Sequence, residues 1–147
     1  MKFHYVLMAD YTMQRKLLMQ RLRDTGLTPG QPKVLAYLSE NDGVSQGQIA
    51  RACFLEAGTM ATVMDGMEKQ NLVERTRCSA NRRAYQVRLT EKGRAMACRV
   101  NEAFAALERE IFSDIGEENG RALTELLSGA YEVLQRGYNG QEKEESA

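Results

Sequence analysis

The sequence predicts a mainly α-helical domain of the α+β class that contains one antiparallel β-hairpin. Apolar residues recur at helical spacing through most of the 147 residues. Helix-start signals separate these stretches, and only residues 72–90 read as a pair of short strands. A chain of this length has room for one domain with a substantial core, so we expect a single domain over residues 1–147.

The first two predicted helices are separated by a short turn. Residues 3–24 have helical apolar spacing, and Gly26 is a suitable stop. Thr28 is the predicted N-cap of the second helix, with Pro29 at the first helical position and Gln31 completing a capping box. We expect this helix to end near residues 41–43.

A second capping box, Ser45 with Gln48, predicts a short helix that ends near Cys53. After a turn at residues 55–58, a helix is predicted over residues 57–70. Its buried face is formed by four residues at i, i+3, i+4 and i+7: Met60, Val63, Met64 and Met67. Asn71 follows where a left-handed residue commonly ends a helix.

Residues 72–90, LVERTRCSANRRAYQVRLT, predict a hairpin with strands at 72–76 and 84–89. Positive charge is concentrated here although the chain is neutral overall. Between residues 75 and 94 the single acid Glu91 accompanies these cations: Arg75, Arg77, Arg82, Arg83, Arg88, Lys92 and Arg94.

This order of elements, two helices joined by a tight turn and then a basic hairpin, predicts a winged helix-turn-helix. Such a domain places its second helix in the major groove of DNA and its wing in an adjacent minor groove. Arginines on a narrow hairpin suit phosphates and minor grooves. On charge alone, an ordinary solvated arginine-rich hairpin is the alternative interpretation.

Two long amphipathic helices are predicted after the hairpin. Thr90 is the expected N-cap of the first, which continues to about residue 112. The second follows a break at residues 113–116 and is expected to end near Gly137. Both are too apolar to face water alone. Residues 139–147 form a predicted disordered tail.

Other function classes find little support in the sequence. Nothing pairs a nucleophile with a base at meaningful spacing, so we expect no enzyme and no cofactor. His4 is the only histidine and no Cys-x-x-Cys pair occurs, so we expect no metal site. No apolar run is long enough to span a membrane, and we expect a cytoplasmic protein. Cys78, in the arginine-rich tip, is a candidate redox-sensing thiol.

The stretch GTMATVMDGMEKQNLVERTRCSANRRAYQVRLTEKG resembles the recognition helix, wing and following junction of the MarR (multiple antibiotic resistance regulator) family of winged-helix transcription factors. The resemblance covers essentially the whole chain. It implies a DNA-binding core at 28–90, dimerisation helices at 1–27 and 91–138, and a homodimer on a palindromic operator. It also implies a small phenolic or otherwise apolar effector, and hence an effector-responsive repressor.

The resemblance also implies which residues contact DNA. Arg83 is similar to the wing arginine that enters the minor groove, and Arg75, Arg77 and Arg82 are expected at phosphates. Ser45, Thr59 and Thr62 match positions that face phosphates or base edges, and Lys69 is the remaining long cation of the recognition helix. Alternatively, Ser45 is only an N-cap and the threonines only face solvent.

The sequence departs from the family pattern at three positions. Asn81 stands where the wing usually has Asp, and Thr62 and Gly66 stand where the recognition helix commonly has arginines. Without arginine the helix lacks the bidentate guanine contact. Our hypothesis is that discrimination depends more on the wing and on DNA shape, with an A·T-rich operator beside the core. The alternative function is a winged-helix protein-interaction module that has lost specific DNA binding.

The family's effector crevice implies a pocket between the first helix and the start of the second. An aromatic acid would suit it, because tyrosine and cations occur there. The alternative is that Tyr11 packs in the dimer and the cations are solvated. The predicted pocket residues are Met8, Tyr11, Arg15, Pro29 and Lys33.

Overall fold

The structure is a computed structural model that describes residues 1–78 and 81–145, with side chains for residues 1–77 and 85–141. Its helices are α1 (Phe3–Arg21), α2 (Gln31–Glu40), α3 (Gln46–Ala52), α4 (Ala57–Lys69), α5 (Glu91–Ile115) and α6 (Glu117–Glu145). Its strands are β1 (Val44–Ser45), β2 (Val73–Cys78) and β3 (Asn81–Leu89). The predicted fold class is confirmed. The chain divides into two compact units, residues 1–107 and 108–147.

The core of the first unit gathers the apolar faces of α2, α3, α4 and the sheet. The four residues predicted to line α4's buried face are at most 9% exposed. The other core residues are Leu18, Leu22, Leu27, Val34, Leu35, Leu38, Ile49, Cys53, Leu72, Val73, Val87, Leu89, Ala97, Val100, Ala103 and Leu107. One face of α4 therefore packs against the core, and its opposite face is available to a partner.

The sheet is antiparallel, with strand order β1-β3-β2. Strands β2 and β3 form the predicted hairpin, and Arg75 lies opposite Val87. The two-residue strand β1 was not predicted; it pairs Val44 with Val87 and so ties the start of α3 to the hairpin. Two residues are too few to show the alternation of apolar and polar side chains by which a strand is predicted from sequence.

The junction between the hairpin and α5 is tightly packed. Thr90 caps α5 as predicted, since its Oγ1 accepts a hydrogen bond from the Gly93 N–H at 2.9 Å. The Thr90 N–H donates to the Leu72 carbonyl oxygen at 3.1 Å. A Cβ on Gly93 would lie 1.9 Å from that same oxygen. Only glycine allows α5 to approach the base of the hairpin this closely.

The predicted start of α2 was wrong by two residues. The helix begins at Gln31 with Gly30 as N-cap, and Pro29 belongs to the preceding turn. Half of the predicted capping box exists, because Gln31 Oε1 accepts from the Thr28 N–H at 3.0 Å. Packing sets the boundary: a Cβ on Gly30 would lie 2.8 Å from Val63 of α4, so the turn rests directly on that helix.

The predicted end of α6 was also wrong. We expected a stop near Gly137 and disorder over 139–147, but the helix continues to Glu145, beyond which the residues are not described. Gly137 does not adopt the left-handed conformation that ends helices. The Gln, Glu and Lys residues from position 141 onward are good helix formers and favour the continuation.

In the second unit, the α5–α6 turn occurs at Gly116, where φ is +95°. Gly120 lies so close to the Phe112 ring that an added Cβ would be 2.5 Å from its nearest atom. The apolar residues of α6 remain largely exposed, including Leu126 at 73% and Leu134 at 63%. This helix therefore presents an apolar surface along its length.

Candidate nucleic-acid interface

A helix-turn-helix is formed by α3 and α4. The predicted capping box at the start of α3 is complete: the Gln48 N–H donates to Ser45 Oγ at 3.2 Å, and the Ser45 N–H donates to Gln48 Oε1 at 2.9 Å. The Ser45 side chain thus has a structural role that accounts for its hydroxyl oxygen.

The turn after α3 contains a residue that sequence reasoning missed. Phe54 has φ of +55° and is 74% exposed. The Leu55 N–H donates to the Ala50 carbonyl at 2.9 Å, a closing bond of the kind that normally places glycine at this position. An exposed, conformationally strained aromatic in this turn is unusual. An aromatic residue directly after the predicted end of a helix was the available signal.

The exposed face of α4 is built from small and polar residues. Thr59, Thr62 and Lys69 are all exposed, as a DNA-facing role requires. Thr62 Oγ1 donates to the Gly58 carbonyl oxygen at 3.3 Å, which leaves its lone pairs available. Around Thr59 and Thr62, whose side chains are short, the helix backbone can approach a partner surface closely.

Gly66 has a packing reason that the sequence did not reveal. It is half-buried, and an added Cβ would lie 3.2 Å from Gln31 Nε2. Gln31 is 1% exposed; its Nε2 donates to Gln70 Oε1 at 2.6 Å, and Gln70 Nε2 donates to the Gly26 carbonyl at 3.0 Å. These amides tie the α1–α2 turn to the end of α4.

The basic hairpin is described only in part. The Arg77 guanidinium carbon lies 5.6 Å from the centre of the Tyr85 ring, and its Nε donates to the tyrosine oxygen at 3.3 Å. Both side chains are exposed, so Arg77 is held on the surface by stacking. The predicted contacts Arg82 and Arg83, and the candidate thiol Cys78, lie outside the residues whose side chains are described.

Arg75 is placed differently from its predicted role as a phosphate contact. Its Nη2 lies 2.7 Å from Asp65 Oδ1, and its Nε lies 2.8 Å from Glu68 Oε2, without hydrogen-bond alignment in the second pair. Its side chain is only 26% exposed. Arg75 therefore joins the hairpin to α4.

Known proteins that share this architecture are MarR-family regulators. A model of the MarR family matches residues 25–84, which run from the turn before α2 into β3. A solved structure described as the transcriptional repressor CouR bound to a 23-mer DNA duplex is 28% identical, with a TM-score of 0.80, over 87% of this chain and 91% of that one. Over residues 25–84 the chain matches the MarR family.

Two further solved structures are similar to this chain. A MarR-family regulator from Silicibacter pomeroyi is 25% identical, with a TM-score of 0.73, over 85% of this chain and 84% of that one. The S. aureus MepR–DNA complex has a TM-score of 0.82 at 21% identity, over 90% of this chain and 98% of that one, and shows the shared fold. The family assignment made from the sequence is confirmed.

The predicted effector residues are only partly brought together. A cleft of about 630 Å³ lies between the C-terminal half of α1 and the turn before α2, and it includes Arg15 and Pro29. Its full lining is Thr12, Arg15, Lys16, Met19, Gln20, Arg23 and Pro29. Met8 and Tyr11 lie nearer the start of α1 and are more than half exposed. Lys33 is outside the lining, and its carbonyl accepts the Cys53 thiol at 3.6 Å.

A second, more polar cleft of about 640 Å³ shares Gln20 and Arg23 with the first. Within it, Arg99 Nη2 donates to both carboxylate oxygens of Asp24 at 3.0 Å. These hydrogen bonds hold the pKa of the Asp24 carboxyl below its ordinary value. Burial raises the pKa of the Cys53 thiol, with nearby Lys33 opposing the shift.

Helix α1 also presents apolar residues to its surroundings. Those more than 45% exposed are Phe3, Tyr5, Met8, Tyr11, Met13 and Leu17. Such a concentration on one helix marks an interaction surface rather than scattered exposure. Among the residues with described side chains, no group of three or more His, Cys, Asp or Glu could hold a metal ion. None of the described helices is long and apolar enough to cross a membrane.

Proposed function

We propose that this MarR-family protein is a sequence-specific DNA-binding transcriptional regulator that acts as a homodimer. The observation that carries the proposal is the juxtaposition of an exposed, small-residue α4 with a basic hairpin in one winged helix-turn-helix. Helix α4 enters the major groove and the hairpin reaches the adjacent minor groove. A regulator of this kind works in the cytoplasm and is not an enzyme. A protein-interaction module without DNA binding is not favoured.

The homodimer accounts for two surfaces that water alone would not stabilise. Exposed aromatic and methionine side chains line α1, and exposed leucines line α6. Burying these faces against a second copy supplies the apolar area that a stable dimer needs. A two-fold dimer presents two copies of α4, so its operator is palindromic.

DNA contacts fall to residues of different kinds. Thr59 and Thr62 face base edges or phosphates from α4, and Lys69, at the C-terminal end of the same helix, contacts a phosphate. Arg77 and Arg82 contact phosphates from the wing, and Arg83 enters the minor groove. Because α4 has no arginine for a bidentate guanine contact, the operator is A·T-rich where the wing binds.

The binding experiment uses DNA from upstream of the coding sequence together with a selection from random duplexes. We expect a palindrome with A·T-rich flanks, and an affinity that falls steeply with salt because several phosphates are neutralised. Arg83→Ala should weaken binding by more than tenfold, because the dimer loses two contacts of about 1–3 kcal/mol each. Arg88→Ala is the matched control, since Arg88 bonds to Gln86 at the hairpin base and should lose little. No selected sequence and equal binding by both variants would contradict the proposal.

Repression is the mode of action we propose, with release by an effector bound at the α1 cleft. The lining combines Met19 and Pro29 with the cations Arg15, Lys16 and Arg23, which suits an aromatic carboxylate. The cleft includes Pro29, and the adjacent Gly30 rests on Val63 of α4, so a displaced turn moves the recognition helix. A ligand needs only a few kcal/mol of preference for one state to shift the population.

Benzoate is a suitable first probe for the cleft. We expect it to weaken operator binding while the protein stays dimeric, and Arg15→Gln to reduce that response without changing DNA affinity in its absence. Arg121→Gln on α6 serves as the charge-matched control. If neither benzoate nor a panel of substituted aromatic acids changes operator binding, the effector part of the proposal fails.

A further inference from the structure

Two carboxylates stand on the recognition helix of a protein that must approach phosphates. Asp65 and Glu68 are three residues apart, which places them on one side of α4. Their side chains are 63% and 50% exposed. Unpaired carboxylates at this position would repel a DNA backbone. Their presence therefore needs an explanation beyond groove contact.

Arg75 provides that explanation, because its guanidinium reaches both acids from β2. Its Nη2 donates a hydrogen bond to Asp65 at 2.7 Å, and its Nε forms an ion pair with Glu68 at 2.8 Å without hydrogen-bond alignment. The planar fork of arginine suits this two-point contact, which a lysine ammonium does not reproduce. The arrangement links the middle of the recognition helix to the first strand of the wing.

We propose that Arg75 is a positioning residue: with Asp65 and Glu68 it sets the angle between α4 and the wing, so that both reach their grooves together. The inference rests on the proposed DNA-binding function, and it replaces the phosphate contact that the sequence predicted for Arg75. The pairing also neutralises the two carboxylates at the surface that approaches DNA.

Fold stability alone does not explain this arrangement. Ion pairs with half-exposed partners contribute little to folding, and α4 is already anchored by its buried methionines. What a side-chain bridge between two surface elements does supply is a preset orientation. Preorganisation of this kind lowers the free energy of ordering that binding would otherwise require.

The test compares Arg75→Gln and Arg75→Lys with wild type on two duplexes: the best sequence from the random-DNA selection and a scrambled duplex of equal length. We expect both variants to lose about tenfold on the selected duplex, the scale of ordering one interface element. Scrambled-duplex affinity should hardly change. The slope of log affinity against log salt should stay as in wild type.

A phosphate contact predicts a different pattern. Arg75→Lys would then bind almost normally, since an ammonium also binds phosphate. Arg75→Gln would weaken both duplexes and reduce the salt slope by about 0.9 per contact, twice per dimer. Either result would overturn the positioning role.

The acids supply the reciprocal arm of the experiment. The double variant Asp65→Asn with Glu68→Gln should lower the ratio of affinities for the selected and scrambled duplexes. Adding Arg75→Gln to this variant should change that ratio little, because the acid substitutions have already broken the linkage that Arg75 makes. A fully additive loss would refute the linkage. Circular dichroism and size-exclusion chromatography check that each variant is folded and dimeric.

The outcomes separate this inference from the proposed function. If wild type selects no sequence and Arg83→Ala changes nothing, the DNA-binding proposal itself fails. If wild type binds a selected duplex and Arg83→Ala weakens binding, while Arg75→Lys keeps full selectivity, only the positioning role fails.

Discussion

Replacing Gly93 by alanine tests the packing between α5 and the base of the wing. The new Cβ would lie 1.9 Å from the Leu72 carbonyl oxygen and 2.9 Å from its carbon, both backbone atoms that no side-chain rotation can move away. To restore an ordinary C···O separation, α5 must retreat by about 1.4 Å. That movement breaks the 3.1 Å hydrogen bond from the Thr90 N–H to the same oxygen.

The magnitude follows from these contacts. Overpacking costs about 1–3 kcal/mol and the lost hydrogen bond about 1 kcal/mol more, while the helix propensity of alanine returns up to about 1 kcal/mol. We expect a net loss of about 1–4 kcal/mol in the free energy of unfolding. For a chain of this size the Tm should fall by about 3–15 °C.

Urea and thermal unfolding at one fixed protein concentration provide the measurement, since a dimer's Tm depends on concentration. Gly58→Ala is the control, because a Cβ on that α4 glycine meets nothing within 4 Å and should leave stability unchanged or slightly higher. A Gly93→Ala protein with wild-type Tm would show that α5 is not held against Leu72 as described.

Three further predictions concern single side chains. Phe54→Gly should stabilise the protein by about 1 kcal/mol by removing left-handed strain, whereas Phe54→Ala should not; equal effects in urea unfolding would argue against strain. Arg99→Gln should raise the pKa of Asp24 in an NMR titration. The lowered pKa means that this pairing stabilises the fold at neutral pH and is lost as pH falls through the folded-state value, so an unmoved pKa would exclude it. Alkylation followed by peptide mass spectrometry should label exposed Cys98 well before buried Cys53; equal rates would contradict the burial.

The pattern of residues was sufficient to predict most elements of the fold. The stripe at Met60, Val63, Met64 and Met67 identified α4 and its buried face, and Asn71 adopts the expected left-handed conformation with φ of +58°. Signals of this kind are local, since helical period, capping chemistry and turn preference all act within a few residues. The same locality explains why the resemblance to the MarR family could be recognised from the sequence of α4 and the hairpin.

Features that depend on distant partners were not predictable in this way. The boundary of α2 depends on the contact between Gly30 and Val63. The requirement for a small residue at position 66 depends on Gln31, which lies 35 positions away in the chain. Arg75 looked like one more wing cation. Only the tertiary structure brought it within 2.8 Å of two acids on α4, because ion pairing depends on which side chains the fold places together. Local periodicity therefore determines which segments form and which faces are apolar, whereas the partners of individual polar side chains are decided by packing between segments.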